Sequence, residues 1–279
     1  MEVSALLCIN HFVYGHITRT LDLTASNVLV KTAGIDFWSD EQVYSRLGGP
    51  VKDDVQLKSG ETSGLSAPRY LVESAELGDS KLLSEEVLLT DLGHAFHAES
   101  PSPRPQGTAV TLSYGAPEVL FNTKQPDQAA DIWALACTLY EIRAGTQLFA
   151  SFFGNHGEIL RQMVQTFGKF PEPWWSAWDN HSRYFDEEGQ PHREWPDGIT
   201  LAVEYPLLAQ IQDIGAEDDV LDSADGLLTS EPVMEKPGTR LPEQEVADLL
   251  DLLGKMLRYQ SEDRISVDQV LRHPWLRGT

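Results

Sequence analysis

Between Asp131 and Ala144, apolar residues fall at Ile132, Leu135, Ala136, Leu139, Tyr140 and Ile142, and Gly145 follows. That spacing predicts a buried helix ended by the glycine, with Asp131 as its N-terminal acid. Glu243 to Leu257 repeats the pattern at Val246, Leu249, Leu250, Leu252, Leu253, Met256 and Leu257, a helix buried over a wide face. His156–Phe167 predicts another helix, and Ser266–Leu271 a short last one before His273-Pro274. The C-terminal half is therefore mostly helical. Strands are few and short: Val28-Leu29-Val30 is one, and Leu88-Leu89 leads into a turn at Asp91-Leu92-Gly93.

The rest of the chain is less regular. The first thirty residues read as a helix, a loop and that short strand. Residues 32–80 are mixed, with turns at Gly48-Gly49-Pro50 and at Gly60 to Gly64. Ser100–Gly107 is a loop, because three prolines and a glycine exclude regular structure. The aromatic run Trp174, Trp175 and Trp178 fits packing between helices better than ligand stacking. Ala216–Gly238 is acidic and poor in apolar residues, a surface loop or mobile segment.

Of the 279 residues, 21 are Lys or Arg and 43 are Asp or Glu, a formal net charge of −22. Such a chain is a poor ligand for nucleic-acid phosphates and a good one for basic peptides. The same charge also serves solubility. Two cysteines, Cys8 and Cys137, make neither a disulfide framework nor a zinc site, and Cys137 reads as a small buried residue. The apolar stretch Val3–Val13 is too short to span a membrane, and Glu2 stands where a secretory signal carries basic residues. An intracellular, reducing location, cytoplasm and/or nucleus, is expected, with no membrane and no direct nucleic-acid partner.

Four short segments carry the chemistry, and their order matters more than any one alone. They are Asp22-Leu23-Thr24-Ala25-Ser26-Asn27, Asp91-Leu92-Gly93, Tyr114-Gly115-Ala116-Pro117-Glu118 and Asp131-Ile132-Trp133. Arg264 follows in Glu262-Asp263-Arg264-Ile265. In isolation Asp22 and Asn27 read as loop caps. Together the segments resemble the C-terminal lobe of a eukaryotic protein kinase, with its Asp-x-x-x-x-Asn loop, Asp-Phe-Gly metal motif, Ala-Pro-Glu motif and helix opening in Asp-x-Trp. The filler around Asp22–Leu29, Leu112-Ser113-Tyr114 and Gly168–Trp175 looks like serine/arginine-rich-protein kinases, particularly the fungal type.

That resemblance implies a kinase-like fold, C-terminal lobe only, mainly α-helical with short β-hairpins and with the N-terminal β lobe largely absent. Residues 1–279 would be one partial kinase domain, with a family-type insertion at about 32–88 and an acidic loop at about 213–240. It implies ATP and Mg2+ as cofactors and transfer of the γ-phosphoryl group to Ser or Thr of basic, Arg/Ser-rich proteins. Asp22 would be the catalytic base, and Asn27 and Asp91 the magnesium ligands. Gly93 would allow the tight turn that aims Asp91 at the nucleotide. Glu118 and Arg264 would form a buried structural ion pair, and Asp131 would hold the catalytic loop.

The departures are equally specific. The sequence holds no Gly-x-Gly-x-x-Gly, and Val28-Leu29-Val30-Lys31 lies on the wrong side of the site to supply the ATP lysine. Thr24 stands where the family has a lysine, Leu92 where it has Phe, and Gly115 where an Arg is common. Two readings follow: a Ser/Thr kinase recorded without its small lobe or borrowing a separate one, and a non-catalytic pseudokinase scaffold for basic partners. A helical adaptor unrelated to kinases is the weaker third.

Overall fold

The computed structural model describes residues 18–19, 23–56, 58, 64, 67–75, 77, 80–97, 111–124, 126–151, 153–192, 202–216 and 240–277. The expectations for residues 1–17, the 100–107 loop and the acidic 217–239 stretch lie outside them. Contacts divide the chain into two units, residues 30–88 and the remainder.

In the larger unit, helix α3 (Gln128–Ala144) is the central post, buried without a break from Ala130 to Tyr140. It begins three residues before the expected start. Asp127 caps it, its Oδ1 accepting from the N–H groups of Ala129 and Ala130. Asp131 therefore lies in the first turn, buried, and is not the cap. Gly145 ends the helix in the left-handed conformation, where a side chain would be strained.

Around this post stand α2 (Pro117–Leu120), α4 (His156–Phe167), α5 (Trp174–Ala177), α6 (Leu207–Gln212), α7 (Glu243–Met256), α8 (Val267–Leu271) and α9 (Pro274–Arg277). Leu249, Leu252, Leu253 and Met256 of α7 are wholly buried. The Arg143 guanidinium forks onto Glu245, with Nε–Oε1 2.7 Å and Nη2–Oε2 3.2 Å, tying α3 to α7.

The aromatic run is core. Trp174, Trp175 and Trp178 are all buried. Tyr259 packs on Phe167 and on Phe170, and its hydroxyl lies 2.8 Å from the Gly168 carbonyl and 3.0 Å from that of Met163. A turn at Asp186–Gln190 closes against Lys169. A Cβ on Gly189 would stand 2.6 Å from Lys169 Cβ, so only glycine fits, and its φ is +82°.

Strands are short, as expected, but they pair across long intervals, and two of the three pairs among the described residues are not hairpins of neighbouring strands. In the larger unit, β1 (Thr18–Arg19) pairs antiparallel with β6 (Phe96–His97). Strands β2 (Val28–Thr32) and β5 (Leu83–Leu89) form a second two-stranded sheet. The unit of residues 30–88 also carries α1 (Asp40–Leu47), opened by a Ser39–Gln42 capping box, and the antiparallel pair β3 (Lys52–Asp54) and β4 (Tyr70–Val72). Among its described hydrophobic residues only Leu82 and Val87 are buried.

Candidate active site

The loop before β2 is anchored from below. Leu23 is buried, and its carbonyl accepts from the Thr138 hydroxyl of α3 at 3.0 Å. The same hydroxyl lies 2.9 Å from the Ala134 carbonyl, one turn back. Thr138 thus tethers this loop to the central helix, beside whatever hold Asp131 has on it. A threonine inside an otherwise apolar helix was the available signal. Thr24 is buried with its hydroxyl 2.9 Å from that of Ser26, so it presents no cation where the family has lysine. Asp22 lies outside the described residues.

The segments that carry Asn27 and Asp91 are joined through Thr90. The Asn27 carbonyl accepts from the Thr90 N–H at 2.8 Å and from the Thr90 hydroxyl at 3.2 Å. That places Asn27, the last residue before β2, beside the residue that precedes Asp91. Asp91 itself takes the left-handed conformation, φ 54° and ψ 50°. Non-glycine residues rarely do so, and such strain persists only where the surroundings enforce it. The turn therefore bends at the carboxylate residue and not at Gly93, whose φ is not positive. A Cβ on Gly93 would meet only Asp91 Oδ1, at 3.8 Å, an ordinary contact.

Asn27 and Asp91 offer hard oxygen donors, the set magnesium prefers. Among the described residues no three His, Cys, Asp or Glu gather as a metal cage. Two protein donors, with phosphate and water oxygens filling the other positions, is the usual arrangement for magnesium with a nucleotide.

Glu118 of α2 and Arg264 meet in a fork, both bonds 2.7 Å, with side chains 3% and 0% exposed. The other N–H groups of Arg264 reach the carbonyls of Arg258 (2.8 Å), Ala129 (2.8 Å) and Tyr259 (3.2 Å). All five guanidinium donors are used. The plane also lies over Trp133, 5.2 Å from its ring centroid.

Tyr114 donates to Glu141, accepts from Gln147 at 3.5 Å and makes a backbone hydrogen bond with Ala25. Burial, then the Glu141 carboxylate, pushes the Tyr114 hydroxyl well above the ordinary phenol range. Burial likewise raises Glu141, against the pull of the Tyr114 hydrogen bond. Sequence reading missed this cluster, since Glu141 looked like an ordinary residue of its helix. Gly115 is closely packed: an added Cβ would stand 2.7 Å from Leu120 Cδ2, so an arginine there would require Leu120 to move.

The chain matches the protein kinase domain model over residues 79–276, more than half its length. It is 28% identical over 169 residues to Serine/threonine-protein kinase ppk5 of Schizosaccharomyces pombe, covering 59% of this chain and 16% of that protein. It is 28% identical over 210 residues to Cell division control protein 2 homolog 3 of Trypanosoma brucei brucei, covering 74% and 54%. It is 25% identical over 170 residues to Serine/threonine-protein kinase SRPK of Physarum polycephalum, covering 60% and 33%. The matched segment spans at most about half the length of these relatives.

Proposed function

The chain belongs to the protein kinase family, and we propose that it supplies the C-terminal lobe of a serine/threonine kinase acting on basic, Arg/Ser-rich proteins inside the cell. The observation that carries this reading is the strained Asp91 set beside Asn27 by the Thr90–Asn27 hydrogen bonds. A left-handed aspartate at the end of a short strand is expensive as structure and useful as a metal ligand. The named Ser/Thr kinases among the relatives support the reaction class, and the SRPK relative supports the substrate class.

In this reading MgATP, when bound, supplies the phosphoryl group and neutralises its charge. Asn27 and Asp91 would hold the metal. Asp22 would orient the substrate hydroxyl and accept its proton. Thr138 and Tyr114 fix the loop from Leu23 to Ala25, and the Glu118–Arg264 pair anchors the segment after Tyr114. The acidic surface at Glu187 and Glu188 would attract a basic substrate.

One observation favours a second reading, a non-catalytic scaffold: buried Thr24 leaves the transferred phosphate without the family's lysine. The test is magnesium-dependent ATP binding and phosphate transfer to an Arg-Ser peptide, in the intact protein and in Asp91→Ala. Kinase function expects magnesium-dependent ATP binding that falls by at least about tenfold in the variant, and transfer once a small lobe completes the site. Peptide binding without magnesium-dependent ATP binding, unchanged by Asp91→Ala, would establish the scaffold instead.

A further inference from the structure

The unit of residues 30–88 contains a sheet that is short of cover. Strands β3 and β4 make a two-stranded antiparallel pair with Asp53 opposite Leu71. A pair of this size is marginal alone, and a third strand or a covered face is what normally secures it. Every residue of both strands is exposed, Leu71 by 62%, Val72 by 52% and Tyr70 by 44%. Neighbours along a strand point to opposite sides, so apolar side chains stand in water on both faces.

The register shows which edge is open. The Val55 N–H donates to the Arg69 carbonyl at 3.0 Å, and the Glu73 N–H to the Val51 carbonyl at 3.1 Å. Arg69, Leu71 and Glu73 therefore turn their backbone groups towards β3, while Tyr70 and Val72 turn theirs away. Among the described residues no strand lies beyond β4 to receive them. Such an edge is a template for another strand, and β4 itself carries no lysine or proline to blunt it. Along it the residues run Arg69, Tyr70, Leu71, Val72, Glu73: a base, three apolar residues, an acid. Laid antiparallel on its own copy, this stretch is complementary to itself. Tyr70 meets the partner's Val72 as a hydrogen-bonded pair, Leu71 meets the partner's Leu71, and Arg69 meets the partner's Glu73 at both ends. The β3 edge offers instead Lys52, Asp53 and Asp54, with no apolar area to bury, and the same operation sets Asp53 against its own copy.

We propose that β4 is a self-association strand: two copies of the chain join edge to edge through Tyr70–Val72, about a two-fold axis at Leu71, and complete a four-stranded sheet. The proposal does not depend on the catalytic reading. Four backbone hydrogen bonds, two aromatic–β-branched pairs and two opposite-charge pairs form across the axis. The patch is small, so the dimer is weak and reversible.

Sedimentation equilibrium of the full chain up to about 0.3 mM is expected to show monomer and dimer with a Kd of about 10–100 μM. Arg69→Glu and Glu73→Arg each bring like charges together at both ends, and each is expected to raise Kd about tenfold. Combined, they restore the opposite-charge pairs and should return Kd to within about threefold of wild type. Both side chains are exposed, so thermal unfolding should be unchanged in all three variants. The register is read by oxidation, with Cys8 replaced by serine and Cys137 left buried. Leu71→Cys should give a covalent dimer, since Cα atoms at a non-hydrogen-bonded pair lie about 4.5 Å apart. Val72→Cys should not, because its own copy lies two residues out of register, beyond the roughly 7 Å that a disulfide spans. A chain that stays monomeric to the highest concentration overturns the proposal. So does a dimer that neither charge variant weakens, a double variant as weak as the singles, or equal cross-linking at the two cysteine positions.

Discussion

Replacing Arg264 by Met keeps an unbranched stem to pack under Trp133 and deletes every guanidinium donor. Glu118, whose side chain is 3% exposed, then loses both 2.7 Å bonds, and three backbone carbonyls lose a partner. Stranding one member of a buried pair costs about 3–5 kcal/mol. In a domain of this size about 1 kcal/mol moves the midpoint by roughly 2–4 °C, so Arg264→Met is expected to lower Tm by about 6–20 °C. Arg264→Lys should fall between, because an ammonium has three donors and no fork. The double variant Glu118→Leu/Arg264→Met should cost less than the two single losses added, since no buried charge is left unpaired. Urea and thermal unfolding of the full chain read all four changes. A loss in Arg264→Met below about 1 kcal/mol, the worth of an exposed pair, would refute the claim that this pair is desolvated and fully satisfied.

Glu141, raised mainly by burial, binds its proton more tightly folded than unfolded. Its contribution is therefore present at low pH and is lost as pH climbs past 4.5 through the raised folded value. Glu141→Gln should flatten that part of the stability-versus-pH curve and differ little from wild type below it; parallel curves would disprove the assignment. Gly189→Ala should lower stability by about 1–3 kcal/mol, from a φ of +82° and a 2.6 Å approach to Lys169 Cβ, whereas Gly93→Ala should fold normally. Equal melting temperatures for the two would contradict the placement of strain. Glu187→Gln with Glu188→Gln should weaken Arg-Ser peptide binding and reduce its salt dependence, with unchanged binding counting against an acidic dock.

Helices were legible where the apolar period ran long: His156–Phe167 has the expected bounds, and Glu243–Met256 ends one residue short. The start of α3 was read late because Gln128 to Ala130 carry little pattern and the true cap, Asp127, stands a turn before the first large apolar residue. Helix α1 was overlooked although Ser39 and Gln42 spell a capping box, because its residues pack against little and show no apolar stripe. In the site, residue types named Asn27 and Asp91, but Asp91's backbone twist and Thr138's reach to Leu23 across 115 residues are tertiary facts. No local pattern encodes which distant carbonyl a threonine will find.

Helix α3 is buried on every side from Ala130 to Tyr140, and this has a consequence during synthesis. A helix that must be covered all round has no face it can show to water. Its tie to Glu245 lies 102 residues further along the chain, a wait of roughly 5–20 s at ordinary rates of translation. Throughout that interval the helix lacks the part of its cover that α7 supplies. A nascent chain stalled between Gly145 and Leu249 should therefore bind chaperones and aggregate when they are withheld, while one released after Arg264 should not.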